Sequence, residues 1–417
     1  MRRDPWGERR KNSIKRRSCS AEKGKRLKGD PSELAELAFA TRAIHAGQPP
    51  DPTTGAVTVP IYQTSTYSQA RLGENTGFEY ARSQNPTRFA LEDLVASLEG
   101  GVKGHAFASG MAAISCLMTI LKAGDHVVVS QNVYGGTFRY FTRILEKFGL
   151  SFSWIDTTDL DRVKAAIGPA TRMVYLETPS NPLMEVTDIA AVAEVAHAHG
   201  AKVAVDNTFL SPYFQQPLAL GADFVVHSTT KFLNGHSDSI SGVLISKSVE
   251  DGEWFTLAQK SAGGILAPFE CFLVMRGIKT LAVRMARHEE NTKRIVDFLA
   301  GHRAVRGILY PGLATHPGHE IQKRQASGFG SMISIELGSY DNAKAMLDRM
   351  RLWALAESLG GVESLISHPA SMTHASIPVE RRNRLGITEG LVRLSVGIED
   401  VDDLRGDLLQ ALDAVPT

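Results

Sequence analysis

Cysteine is scarce in this 417-residue chain: there are three, Cys19, Cys116 and Cys271, far apart and with no Cys-x-x-Cys spacing. That excludes a disulfide framework and a cysteine-based zinc site, and reads as reduced, mostly buried thiols of a cytoplasmic protein. Apolar runs of membrane-spanning length are missing, so no transmembrane helix is predicted. Internal repeats are missing too. Net charge is almost absent, +1 from 46 Lys+Arg and 45 Asp+Glu, but it is unevenly spread. Met1 to Asp30 holds 12 of the basic and 4 of the acidic residues, about +8, which leaves about −7 for the rest. No apolar h-region accompanies this charge, which excludes a secretory signal, and its acidic residues argue against a transit peptide. It also lacks aromatic interleaving and amphipathic patterning. A disordered leader over 1–38 is therefore favoured over a nucleic-acid-binding or membrane-surface arm.

What is present is ordinary for a globular enzyme-sized chain: 43% hydrophobic and 22% charged residues, long enough for two domains or one large one. Residues 39–87, rich in Pro, Thr, Tyr and Gly, read as an extended arm that reaches toward another subunit. From Arg88 the pattern alternates. Helices are predicted over Arg88–Leu98, from Ser109-Gly110-Met111 to Leu121, and over Thr137–Phe148, Leu160–Ile167 and Ile189–His199. Between them stand strands at Ala106–Ala108, His126–Ser130, Phe152–Ile155, Arg172–Leu176, Lys202–Val205, Phe224–Val226 and Gly242–Ile245. This alternation predicts an α/β fold with a mostly parallel sheet over 88–270. A second block, 271–417, opens on one long amphipathic helix over Cys271–Leu299. Strands near Gly307–Tyr310, Met332–Glu336 and Val392–Ser395 follow, giving a smaller α+β domain.

In such sheets ligands sit at the carboxyl ends of the strands. Ser109, Glu177, Asp206, Ser228 and Lys231 fall there. The stretch from Asp223 to Asp238 carries an apolar strand into the hydroxyls of Ser228, Thr229 and Thr230, then one amine at Lys231. Hydroxyls beside a lone lysine suit a phosphate anchor next to an imine-forming amine, which is what pyridoxal 5'-phosphate (PLP) requires. Asp206 supplies an anion for a pyridine nitrogen. Ser228, Thr230 and the helix start at Gly110-Met111 supply a phosphate clamp. Ser109-Gly110 reads equally as a helix cap. Tyr80 and Arg82 offer a further hydroxyl and guanidinium, and Tyr134 an aromatic face for the ring. Arg393, a charge in the apolar strand Val-Arg-Leu-Ser-Val-Gly, reads equally as a structural ion pair or a clamp for a substrate carboxylate. His227 and His236 flank the lysine and are assigned to the local fold. His316-Pro-Gly-His319 has the composition of a turn, and no metal site is predicted.

Together these segments resemble the Cys/Met metabolism (transsulfuration) family of PLP-dependent enzymes, from about Thr41 to the C-terminus. The carriers are Glu-Tyr-Ala-Arg at 79–82, Ala-Ser-Gly-Met at 108–111, Val-Tyr-Gly-Gly at 133–136 and Glu-Thr-Pro-Ser-Asn-Pro at 177–182. Val-Asp-Asn-Thr at 205–208, the lysine segment, and Leu-Ala-Glu-Ser-Leu-Gly-Gly-Val-Glu-Ser-Leu at 355–365 continue the series. Met-Thr-His-Ala-Ser at 372–376 and Arg-Leu-Ser-Val-Gly at 393–397 complete it. Ala81 and Gln84 depart from the family's usual arm but leave Tyr80 and Arg82 in place.

The resemblance implies an aspartate-aminotransferase-like (fold type I) architecture and a homotetramer made of two tight dimers. It implies that Lys231 is the cofactor lysine and proton shuttle, with Asp206 at the pyridine nitrogen and Tyr134 on the ring. Gly110, Met111, Ser228 and Thr230 would hold the phosphate, joined by Tyr80 and Arg82 from a partner subunit. Asn181 would lie near the cofactor hydroxyl or the substrate carboxylate, which Ser358 and Arg393 would grip. Glu357 is similar to the γ-synthase and γ-lyase members, and with Glu79 it could hold the distal ammonium of cysteine or cystathionine. Leu266-Ala-Pro-Phe and the stretch Met372 to Asp403 also look like β-lyases. The reading expected from this is cystathionine γ-synthase chemistry on small amino-acid substrates. Cystathionine γ-lyase is the first alternative, followed by O-acylhomoserine sulfhydrylase, cystathionine β-lyase and methionine γ-lyase.

Overall fold

The computed structural model describes residues 36–375 and 377–416. The leader expected at 1–38 thus lies almost wholly outside the described residues.

Two sheets organise the chain. The strands of the first are β1 (Lys103–Phe107), β2 (His126–Ser130), β3 (Ser151–Ile155), β4 (Thr171–Glu177), β5 (Lys202–Asp206), β6 (Phe224–Ser228) and β7 (Gly242–Ser246). They lie in the order β1-β7-β6-β5-β4-β2-β3. Only β7 runs against its neighbours, so the expected mostly parallel sheet is found. The runs of Val, Ile and Leu in its strands are explained by cover on both faces. In β2, Val128 packs into one buried cluster with Val203, Val205 and Val225, while Val127 and Val129 pack into another with Ala204 and Val226. Side-chain alternation along each strand feeds the two cores in turn. Because β4, β5 and β6 are parallel, their last residues Glu177, Asp206 and Ser228 emerge at one edge.

The second sheet holds β8 (Gly307–Leu309), β9 (Met332–Glu336), β10 (Ala354–Leu355), β11 (Leu365–Ser367) and β12 (Leu391–Ser395), ordered β10-β11-β12-β9-β8. It has its own core around Ile333, Ile335, Val392 and Leu394. The helix Leu281–Ala300 joins the two cores. Its first turns give Leu281 and Met285 to the first, and its last turns give Ile295, Val296 and Leu299 to the second.

Two expectations are corrected. The single helix predicted over Cys271–Leu299 is two, Pro268–Ile278 and Leu281–Ala300, broken at Lys279 and Thr280. Apolar periodicity runs through the break, but Gly277 packs so closely on Asn234 that an added Cβ would lie 2.2 Å from its carbonyl oxygen. The carbonyl of Gly277, freed by the break, accepts from the Arg284 guanidinium at 2.9 Å. The expected extended arm also opens with a helix, Phe39–His45, which buries Ala43. Between that helix and Pro86 no further helix or strand is found, and Val57 and Leu72 are exposed.

Candidate active site

The turn after β6 is held before the lysine side chain is considered. The Lys231 N–H donates to the Ser228 carbonyl, and the Gly235 N–H donates back to the Lys231 carbonyl at 2.8 Å. Arg284, buried, donates to the carbonyls of Phe232 and Leu233 at 2.8 and 3.2 Å. Gly235 has φ +71°, and a Cβ there would strike that guanidinium at 2.2 Å. Glycine is thus required both by the backbone conformation and by the space. The Lys231 amine itself donates to Ser358 Oγ at 2.8 Å. Burial, with the Arg393 charge adding to it and Glu357 opposing, lowers its pKa to about 8. An amine in that range is partly neutral at working pH, as a nucleophile and base must be.

Lys231 lines a cavity of about 300 Å³ at the carboxyl edge of the first sheet, near the lower end of the usual size for small-ligand sites. Asp206, Tyr134, Gly110, Met111, Ser228, Thr230, Asn181, Glu357, Ser358 and Arg393 line it with the lysine. Asp206 ends β5. Its carboxylate accepts from the Thr208 N–H at 3.1 Å and hydroxyl at 2.5 Å, and lies 3.5 Å from the Tyr175 hydroxyl. Burial raises its pKa, against those hydrogen bonds. It forms no salt bridge among the described residues, so a protonated pyridine nitrogen is the kind of cation this carboxylate can accept.

The same cavity holds groups that suit a phosphate. Gly110 and Met111 open the helix Gly110–Leu117 beyond the Ser109 cap and line the cavity, and the first N–H groups of a helix have no partner within it. Gly242 on β7 lies so close that an added Cβ would be 2.5 Å from the Gly110 nitrogen. This glycine lets the strand and the helix start meet. Ser228 Cβ is 3.0 Å from where a Gly110 Cβ would stand, so its hydroxyl is beside the helix start. The Thr230 hydroxyl donates to the Ser241 carbonyl at 3.2 Å. Ser109 is a helix cap, accepting from the Ala112 N–H, and also lines the cavity. The residues present therefore fit PLP: an amine, an acceptor for the ring nitrogen, and a cradle of amides and hydroxyls.

The second sheet closes the other side. Arg393 on β12 is fully buried and donates to Asn181 Oδ1 at 3.0 Å and the Ser358 carbonyl at 2.8 Å. Burial lowers its pKa to about 10 while Glu357 and Glu177 oppose the shift. Among the described residues no acidic residue pairs with it in a salt bridge, and its Nε has no partner there. Of the two readings left open by the sequence, the structural ion pair has no acidic partner among the described residues. Ser358 has φ +109°, uncommon for a non-glycine residue, and this places its hydroxyl on the lysine. Glu357 stands exposed at the rim of the cavity.

Three expected residues are not in this cavity. Glu79 accepts from Asn75 on the exposed arm. Tyr80 is 47% exposed. Arg82 donates to the Lys260 carbonyl and lies 5.5 Å from the Tyr80 ring. His227 is bonded to buried Glu99 at 2.5 Å, and His236 to the Asn234 carbonyl, in keeping with roles in the local fold, although His227 also borders the cavity. His319 bonds the Pro311 carbonyl within its turn. Sequence reasoning gave no role to Glu177, Thr208 or Thr373, all of which line the cavity. Thr208 carried a signal, since a Thr two residues after a strand-end Asp is the pattern of a local Asx turn. Thr373 lies in the Met-Thr-His-Ala-Ser motif at 372–376 without a role assigned to it; His374 beside it is buried and hydrogen-bonded to the Asn181 carbonyl at 3.1 Å.

Comparison with known proteins agrees with this geometry. The family model described as "Cys/Met metabolism PLP-dependent enzyme" matches residues 40–413. A cystathionine β-lyase of Lactococcus lactis subsp. cremoris is 52% identical over 373 residues, covering 89% of this chain and 98% of the relative. A cystathionine γ-synthase of Mycobacterium tuberculosis is also 52% identical, over 376 residues, covering 89% and 96%. The solved structure of cystathionine γ-lyase from Lactobacillus plantarum, complexed with L-serine, has a TM-score of 0.88 at 48% identity, covering 91% of this chain and 99% of that one. Three activities thus stand at nearly equal distance. With a two-sided α/β sheet, a buried lysine at its carboxyl edge and a matched length of this extent, the chain belongs to the Cys/Met metabolism family of PLP-dependent enzymes, of fold type I.

Proposed function

We propose that the protein joins an O-acylated homoserine to L-cysteine, forming L-cystathionine by γ-replacement of the cystathionine γ-synthase type. The observation that carries this reading is the rim carboxylate of Glu357. It shares the cavity with Lys231 and Arg393 and acts electrostatically on both. A carboxylate there suits the distal ammonium of an incoming cysteine.

PLP, when bound, supplies an imine carbon and an electron sink. Arg393 and Asn181 hold the substrate carboxylate. The Lys231 amine, guided by Ser358, takes the Cα proton and then moves protons at Cβ. The acyl carboxylate leaves Cγ, and the cysteine sulfur bonds there after losing its thiol proton. Asp206 holds the ring nitrogen, Tyr134 covers the ring, and Gly110, Met111, Ser228 and Thr230 hold the phosphate. In this reading Glu79, Tyr80 and Arg82 serve a partner's cavity, since the arm that carries them is exposed and they do not reach their own. Tight dimers paired into a homotetramer, and a cytoplasmic location, complete the proposal. The two sheets with their separate cores support a division into a large domain, 88–270, and a smaller one, 271–417. A nucleic-acid role for the leader rests on residues outside the described ones and finds no support elsewhere in the chain.

The second reading is γ-lysis, in which cystathionine and water give cysteine, 2-oxobutyrate and ammonia at the same residues. Purified, PLP-loaded protein supplied with L-cystathionine separates the possibilities. Rapid 2-oxobutyrate release means γ-lyase, and pyruvate means β-lyase. Little of either, with cystathionine formed from acylated homoserine and cysteine, is the expected result. Sulfide or methionine as the better substrate would move the assignment to a sulfhydrylase or methionine γ-lyase.

A further inference from the structure

Glu177 is a buried carboxyl group that the chemistry above does not use. It ends β4, and the parallel register sets it directly opposite Asp206 at the end of β5. Neighbouring strands are about 4.8 Å apart, so two carboxyl groups meet on one face in a buried cleft. Both cannot carry charge there without compensation. The donors decide between them. Asp206 accepts two hydrogen bonds from Thr208 and faces the Tyr175 hydroxyl. Glu177 accepts the Tyr134 N–H through Oε2 at 2.8 Å, and the Asn181 N–H also favours its charged form, but among the described residues no hydroxyl donates to it. Hydrogen bonds to the charged form favour ionisation, so Asp206 keeps the charge.

We propose that Glu177 is a positioning residue that works as a neutral carboxylic acid, fixing Tyr134 through its backbone N–H while leaving Arg393 free for the substrate carboxylate. The inference rests on the PLP chemistry proposed above for Tyr134 and Arg393. Tyr134 precedes the helix Gly135–Arg143 and has no side-chain cap of its own. Glu177 thus anchors the point where the chain enters that helix. Gly136 makes room for the ring, since a Cβ there would lie 2.4 Å from it. The ring is therefore placed by one carboxyl oxygen on the Tyr134 backbone N–H and one glycine beside it. The charged and titratable groups around Glu177 are Asp206 from β5, Tyr175 on its own strand and Arg393 from β12. Burial first, and then the Asp206 charge, hold the Glu177 carboxyl well above its ordinary range, with Arg393 opposing. An ionised Glu177 would add a second negative charge to the cavity that also holds the Arg393 guanidinium, and its proton removes that charge.

Glu177→Gln and Glu177→Ala separate this role from the alternatives. Glutamine keeps a carbonyl acceptor for the Tyr134 N–H and carries no charge. Its PLP dissociation constant and kcat/KM at neutral pH are expected within about threefold of the parent. Alanine loses the acceptor, and PLP binding is expected to weaken about tenfold. Apoprotein melting gives a second readout. A carboxyl whose folded pKa is raised contributes stability below its unfolded pKa and loses it as pH rises toward the folded value. The parent should therefore lose stability relative to Glu177→Gln as pH rises above the unfolded glutamate range toward the raised folded value. Glutamine as damaging as alanine, or a parent-to-glutamine gap that does not change with pH, would overturn the proposal. Failure of the parent to take up PLP would count against the chemistry above, and the apoprotein melts would still decide the state of Glu177.

Discussion

Removing Arg393 tests the substrate side of the site most directly. In Arg393→Ala the cavity loses a fully buried guanidinium that already donates to Asn181 Oδ1 and the Ser358 carbonyl. Those two acceptors are left without their donors, and an incoming carboxylate loses its guanidinium partner. Truncating one partner of a buried, hydrogen-bonded charge pair costs about 2–5 kcal/mol. A value near 4 kcal/mol corresponds to a loss of about a thousandfold in kcat/KM. Arg393→Lys keeps the charge but not the planar fork, and a loss of about tenfold is expected. Steady-state kinetics on cystathionine or acylated homoserine, with PLP absorption recorded for each variant, measures both. A second consequence follows from the neighbouring amine. The Arg393 charge helps to lower the Lys231 pKa to about 8. Its removal should therefore raise that value and carry the acid limb of the pH–rate profile toward higher pH. Arg393→Ala within tenfold of the parent, with an unmoved acid limb, would refute the assignment of Arg393 to the substrate carboxylate.

Lys231→Ala should abolish turnover and the imine absorption of the PLP-loaded protein; retained activity would sink the lysine assignment. The same variant has an effect without cofactor. Between about pH 8 and 10.5 the unfolded lysine binds a proton that the folded one has lost, so apoprotein stability from this group rises with pH across that window. Comparative melts should show the parent gaining on Lys231→Ala there, by at most about 3 kcal/mol. Arg82→Ala alone and Lys231→Ala alone should both be inactive. Subunits of the two, unfolded and reassembled together, should recover up to about a quarter of parental activity if Arg82 serves a partner's cavity. No recovery in verified mixed oligomers would return Arg82 to its own chain. Gly242→Ala should weaken PLP binding and lower the melting temperature, because its Cβ would stand 2.5 Å from the Gly110 backbone; overpacking of this kind costs about 1–3 kcal/mol.

What could be read before any coordinates were known divides along a physical line. Features written in consecutive residues were legible. The strands His126–Ser130 and Met332–Glu336 have the predicted bounds, since a run of β-branched and apolar residues between turn signals needs no distant information. The lysine segment was legible for the same reason: strand, hydroxyls and amine are adjacent in sequence. Features that depend on what lies opposite were not. The helix break at Lys279 and Thr280 is invisible to periodicity, because its cause is Asn234 pressing on Gly277 and Arg284 reaching the lysine loop. β10 and β11, two and three residues long, have no periodicity to detect. Tyr80 and Arg82 read as chemical groups in the sequence, yet one chain does not bring them to its own cavity. Glu177 is the clearest case. Its place at a strand end is visible in the sequence, but its meaning comes from register, which sets it beside Asp206 and on the Tyr134 N–H. A carboxyl group is an acid or an anion according to its neighbours. Those neighbours come from residues 134, 206 and 393, which only the folded sheet brings together. Local sequence therefore shows which groups can do chemistry, while the pairing of strands decides which of them carries the charge.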